Sequence, residues 1–193
     1  MSETKVQSDT GEGHKTNCPG SDPLQILRDE HAMKSELCDL LEVIADGLPQ
    51  RFEGALALVS LSLLESGFLS HMKLEQEALF PILRRRIAPD HALHLVIACL
   101  EHEHDRDAPA LAEIVDGLHT AIVDGRVRNA DMFGYMLRGF FESQRRHIAW
   151  ENAVLLPEAA RIMTADDLRE MQDWIMRSGH PRCARQSIAT LRR

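Results

Sequence analysis

The chain has 193 residues, 44% hydrophobic and 27% charged, which is long enough to bury one continuous core and short for several domains of ordinary size. Aromatics make up only 5% while Leu, Ala, Glu and Arg are plentiful, which favours helices packed on helices over a β-sandwich. A net charge of −8 argues against wrapping a phosphate backbone, so nucleic acid is excluded as the expected partner.

Residues 1–21 carry Gly, Ser, Thr, Asp and Lys with almost no large apolar side chains and are expected to form a flexible N-terminal tail. Ser21-Asp22-Pro23 starts the first helix, a capping side chain followed by proline where its missing N–H is no loss. Leu24, Leu27, His31, Leu37, Leu41 and Ile44 then recur at helical steps until Gly47 and Pro49. The second helix begins near Arg51 and is the most apolar element; Gly67, one turn before His71, leaves room for a close neighbour, and Pro81 is expected to end or kink it. Pro89-Asp90 is expected to start a third helix that kinks at Pro109 and closes at Gly125. Asn129 or Asp131 caps a fourth, which reaches Glu151 and is expected to stop before Pro157.

Residues 159–193 form a C-terminal extension: Thr164-Ala165-Asp166-Asp167 opens a fifth helix, Gly179 stops it, and a basic tail follows. The fold expected is all-α, an up-down-up-down four-helix bundle over 22–158 with a short additional C-terminal helix and flexible tails. No apolar run reaches the roughly 18 residues of a membrane span, and MSETKVQSDTGEG lacks the apolar centre of a signal peptide, so a cytoplasmic chain with no membrane partner is expected. Cys38 and Cys99 are read as small buried hydrophobes; Cys18 and Cys183 fall in the tails, as candidate exposed thiols.

One stretch occurs twice. His71, Glu75, Leu79 and Pro81 recur as His147, Glu151, Leu155 and Pro157, and the pattern L-x-x-E-H precedes each copy, ending at His31 and at His104. A His and a Glu four apart lie about 40° from each other and one turn along a helix, so both can grip one object beside it. The chain thus reads as two helical hairpins, each offering one His from its first helix and a His plus a Glu from its second. Four imidazoles and two carboxylates suit a pair of first-row metals, each Glu bridging and each ion taking two His nitrogens. Non-haem iron favours such a mixed shell, structural zinc less so, and manganese is the alternative. The ferritin-like Glu-x-x-His has the opposite order and a three-residue step, which rejects that type of site.

These motifs resemble those of the hemerythrin-like (HHE, cation-binding) domains over about residues 22–158. The resemblance implies His31, His71, Glu75, His104, His147 and Glu151 as ligands of two iron ions, oxo- or hydroxo-bridged, with Glu75 and Glu151 bridging. Oxygen-carrying hemerythrins have a second His four residues after the first on the third helix, whereas Ala108 stands there, and Glu151 replaces their final Asp. One imidazole fewer leaves open positions on both irons, which favours reaction over reversible storage of oxygen. The six-ligand pattern is similar to the hemerythrin-like domain of repair-of-iron-centres proteins and to bacterial hemerythrin-like proteins with peroxide or nitric oxide chemistry.

Three functions follow as expectations: binding and transforming or sensing a small diatomic or peroxide ligand; donating iron to, or repairing, a protein client; and regulation through movement of the fifth helix. A homodimer is compatible with each. Of the neighbouring residues, His102 and Glu77 are expected to face solvent. Glu30 and Glu103 are candidates for proton relay, for an entrance, or for plain surface. Tyr135, Met72, Met132 and Met136 are expected to pack in the core.

Overall fold

The computed structural model describes residues 22–181, which form five helices and, among those residues, no strand. We label them α1, Pro23–Gly47; α2, Gly54–Arg86; α3, Leu93–Asp124; α4, 130–162; and α5, Ala165–Arg177. The capping signals act as expected: Asp22 Oδ1 accepts from Leu24 N at 3.0 Å and Asn129 from Met132 N. Gly125 and Gly179 take the left-handed backbone that ends a helix, with φ of 68° and 67°.

At Pro81, Pro89 and Pro157 the helices depart from expectation. Pro89-Asp90 does not start α3, which begins at Leu93 after a turn in which His91 Nδ1 accepts from Leu93 N. Pro109 lies within α3, which continues to Asp124 and closes at Gly125 as expected. Neither Pro81 nor Pro157 stops its helix. Each follows a five-residue π segment, Glu75–Leu79 in α2 and Glu151–Leu155 in α4, in which the Glu carbonyl accepts from the N–H five residues on, Phe80 or Leu156. The wider turn accommodates a ring that would clash with the carbonyl four residues back, so the helix resumes to Arg86 and to Ile162. The repeated motif is therefore also a repeated backbone device, opening at the Glu. A third π segment, Leu64–Phe68, contains Gly67, whose absent side chain lets Met33 Cε approach.

Apolar side chains divide into two layers. One gathers Leu37–Ala45 of α1, Ala57–Met72 of α2, Leu111–Leu118 of α3 and Phe133–Phe141 of α4; the other gathers Leu24–Leu27, Leu74–Leu83, Leu93–Leu100 and Leu155–Ala159. Successive helices enter these layers in opposite order, which makes the four-helix bundle up-down-up-down. His31, His71, Glu75, His104, His147 and Glu151 fall between the layers on α1 to α4, all 2% exposed or less. The bundle is two apolar cores separated by one polar layer.

α3 and α4 approach closely where Gly117 faces Phe133, since a Cβ on Gly117 would lie 2.4 Å from the ring. α5 closes the second layer with Met171 and Ile175. It is tied to the end of α2 by Arg86, whose guanidinium donates to both oxygens of Asp167, and by Arg85 with Glu170. By length and composition α2 would suffice to cross a membrane, contrary to the count of unbroken apolar residues, because Ser and Gly interrupt that run without making it polar. About half of its most apolar stretch is buried in the bundle.

Three side-chain expectations fail for one geometric reason. Tyr135 is 79% exposed and Met132 63% exposed, and Cys99 is exposed as well. Tyr135 stands two residues from the inward Phe133, and Cys99 two from the inward Ile97, which turns each about 200° round its helix. Met132 sits one step from Phe133, outside the stripe. Cys38 and Met72 are buried, and Met136 is partly buried against the first layer. His102 and Glu77 are exposed, as expected. Cys18 and Cys183 lie outside the described residues.

Candidate metal centre

The polar layer brings all six residues of the repeated motif together. His71 Nε2 lies 3.4 Å and His104 Nε2 3.3 Å from Glu75 Oε2. His31 Nε2 is 3.1 Å from Glu151 Oε2, and His147 Nε2 is 3.1 Å from Glu151 Oε1. The contacts cross between hairpins: His31 of the first meets Glu151 of the second, and His104 of the second meets Glu75 of the first. Two groups result, His31, His71, Glu75 and Glu151, and Glu75, His104, His147 and Glu151, each with donor atoms within 4.8 Å of one another. Both carboxylates belong to both groups.

A second ring of partners holds the imidazoles by their far nitrogens. His71 Nδ1–H donates to Glu30 Oε2 at 2.8 Å and His147 Nδ1–H to Glu103 Oε2 at 2.7 Å. His31 Nδ1–H donates to Asn152 Oδ1 at 2.8 Å. With one proton fixed on Nδ1, Nε2 points into the layer, the atom that ligates a metal once any proton it carries is displaced. The Glu of each L-x-x-E-H thus orients the His on the other helix of its own hairpin, while the adjacent His reaches across to the other hairpin. This explains why the two residues are neighbours: consecutive helical positions lie 100° apart and face two different helices. Glu30 and Glu103 are therefore not plain surface residues: each accepts from a buried imidazole.

Within the layer many buried polar atoms lack a hydrogen-bond partner. His31 Nε2, His71 Nε2 and both oxygens of Glu75 and of Glu151 are buried without a hydrogen bond, as is His104 Nδ1. Leaving that many polar atoms unsatisfied in a protein interior costs on the order of 1–3 kcal/mol for each. A cation at each group would satisfy all but the last, so the donor set fits metal ions. His104 Nε2 and His147 Nε2 stand 3.3 Å apart, two nitrogens directed at one point.

The electrostatics agree. Burial disfavours the charged form of His71, yet the Glu75 carboxylate beside it and the hydrogen bond to Glu30 raise it to about 9. Burial raises the Glu75 and Glu151 carboxyls, and for Glu151 so does the charge of Glu75, but the surrounding imidazoles outweigh this and hold both below the ordinary carboxylate value. For Glu30, hydrogen bonds from His180 and His71 overcome burial and bring the carboxyl down to about 2.

Four flanking features were not read from the sequence. Asn152 stands in the motif H-x-x-x-E-N-x-x-L-x-P, but nothing in that motif shows that it serves His31. His180, beyond the fifth helix, donates from Nε2 to Glu30 Oε1. Asp107, one turn past His104, accepts from Gln144, one turn before His147, in a buried pair. Lys34, 4% exposed, lies over the Phe68 ring at 4.6 Å. A pairing of residues from two distant helices leaves no periodic mark on either.

No curated protein and no solved structure matches the chain significantly. The model of the hemerythrin HHE cation-binding domain matches residues 22–159, the bundle and every residue of the polar layer. With a buried His and Glu cluster able to hold metal ions inside that match, the chain belongs to the hemerythrin HHE cation-binding domain family.

Proposed function

We propose that this protein is a non-haem di-iron protein that binds, and then senses or transforms, a small oxidant or gas: oxygen, peroxide or nitric oxide. His31, His71, Glu75 and Glu151 would hold one ion and Glu75, His104, His147 and Glu151 the other. The observation that carries the reading is that the two groups share both carboxylates, whose oxygens, with the inward nitrogens of His31 and His71, have no hydrogen-bond partner. Four nitrogens and two carboxylates match iron better than thiolate-rich structural zinc, and manganese fits the same set. When bound, such a pair supplies open coordination positions and redox chemistry to a small ligand.

The chain's own part is positional. Glu30, Glu103 and Asn152 keep protons on the Nδ1 atoms of His71, His147 and His31, and the two apolar layers keep bulk water from the donor atoms. With two carboxylates and four imidazoles as the whole inner set, ligand positions remain for an exogenous molecule, which favours reactivity.

Elemental analysis and an optical spectrum under air, peroxide and nitric oxide test this. We expect about two irons per chain, an absorption that responds to at least one of the three, and loss of both on His71→Ala or Glu151→Ala. Iron-free protein of intact fold, or a spectrum indifferent to all three, would defeat the reading; transfer of the iron to a metal-free acceptor without turnover would assign an iron donor instead.

A further inference from the structure

The two hairpins are near copies, but their outer partners are not equal. Glu103 receives His147 and, among the described residues, no second imidazole. Glu30 receives two: His71 Nδ1–H at 2.8 Å on Oε2 and His180 Nε2–H at 2.5 Å on Oε1. His180 lies outside the bundle and outside the residues matched by the family model, just past the turn at Gly179. It is nevertheless buried, 5% exposed, with its ring near Trp174 of α5.

We infer that His180 is a positioning residue for the metal centre, with α5 serving as the clasp that inserts it. The geometry is a line of three groups, His180 to Glu30 to His71, whose Nε2 faces Glu75. A carboxylate with a single partner can rotate about its last bond; one held at both oxygens cannot without breaking a hydrogen bond. His180 therefore fixes the plane of Glu30, and Glu30 fixes the ring of His71 with Nε2 inward.

The clasp is independently built. Asp167 and Glu170 bind Arg86 and Arg85, Met171 and Ile175 sit in the second apolar layer, and the left-handed Gly179 turns the chain back toward α1. These contacts bring a residue from beyond the bundle to Glu30, behind the group of His31 and His71, while among the described residues the group of His104 and His147 has no such brace. The two ions are consequently unequal, and displacement of α5 would loosen one of them. This inference rests on the reading of His71 as a metal-holding residue.

The test uses the full chain freed of metal and titrated with cobalt(II), whose visible bands report coordination. His180→Ala should weaken one of the two bound ions on the order of tenfold, the usual scale for losing an outer partner of a metal-holding His, and shift its bands, with helical content unchanged. His180→Gln, which retains an N–H donor, should restore binding to within about threefold, whereas His180→Met, similar in size but without the donor, should not. In a Glu30→Ala background, His180→Ala should have no further effect.

Isotherms of His180→Ala that superimpose on those of the unaltered chain would overturn the inference, as would equal behaviour of the Gln and Met variants or effects that simply add to Glu30→Ala. Should His180→Ala fail to fold, the Gln and Met pair decides. An unaltered chain that takes up no pair of ions would remove the di-metal reading itself, which separates that failure from this one.

Discussion

Glu103 stands to His147 as Glu30 stands to His71, so the same test applies at the second hairpin. Glu103→Gln keeps the shape but gives up the anionic acceptor, and it is expected to lower metal affinity on the order of 10-fold or more, read by competition with a chelator. Affinity unchanged by the substitution would show that His147 is oriented by packing alone. His71 also sets the expected pH dependence. Its value in the folded, metal-free chain is raised from 6.5 to about 9, so a metal must displace a proton throughout the neutral range. Metal affinity should therefore fall with decreasing pH below about 9, by up to tenfold per unit for this one group. The stability of the metal-free chain follows the opposite sign: the contribution of His71 is complete below 6.5 and is lost as pH rises through about 9. Affinities flat between pH 6 and 9 would contradict the placement of His71 at the ion.

At the scale of elements, α5 depends on a few polar contacts at its start. Asp167 accepts from the Thr164 backbone and hydroxyl and from Arg86, so one carboxylate closes a capping box and an interhelical pair. Burial would raise it, but Arg86 and Thr164 hold it at about 2. Asp167→Ala is expected to cost about 1–2 kcal/mol in denaturant melts, the usual worth of a helix cap with some loss of the ion pair. The contribution of Asp167 is present above the ordinary carboxyl value of 3.8 and disappears as pH falls through about 2, so the variant and the parent should converge in strong acid. A cost that persists there would mean that the substitution acts through packing.

The elements also show where reading a sequence stops. Each capping signal at Asp22, Asn129, Thr164, Gly125 and Gly179 acts within four residues of its partner and was legible. Pro81 was read as ending or kinking its helix and Pro157 as stopping its helix, because proline opposes an α-helix. The preceding π segments absorb the ring, and that choice depends on the layer each helix must rejoin rather than on the proline.

For the whole molecule, the polar layer between two apolar cores buries carboxylate oxygens and imidazole nitrogens that lack hydrogen bonds, which a bound metal would satisfy. Stripping the ions with a chelator is expected to lower Tm, and readdition to restore it in proportion to free metal, since a ligand that binds only the folded chain stabilises by mass action. Calorimetry with and without iron(II) measures this; an unchanged Tm at saturating metal would exclude binding at the layer.

The sequence by itself determined that the chain is helical, where the capped helices at Asp22, Asn129 and Thr164 begin, and which six residues the two halves repeat, because periodicity, capping and a duplicated motif are local and survive in one dimension. Only the tertiary structure decided which His meets which Glu, that Glu30 and Glu103 serve the opposite helix of their own hairpin, and that His180 reaches the centre from beyond the bundle. It also turned Tyr135, Met132 and Cys99 outward. Those outcomes depend on the rotation of each helix about its axis and on which helices become neighbours, and both are settled by how the two apolar layers pack, a property no single stretch of sequence contains.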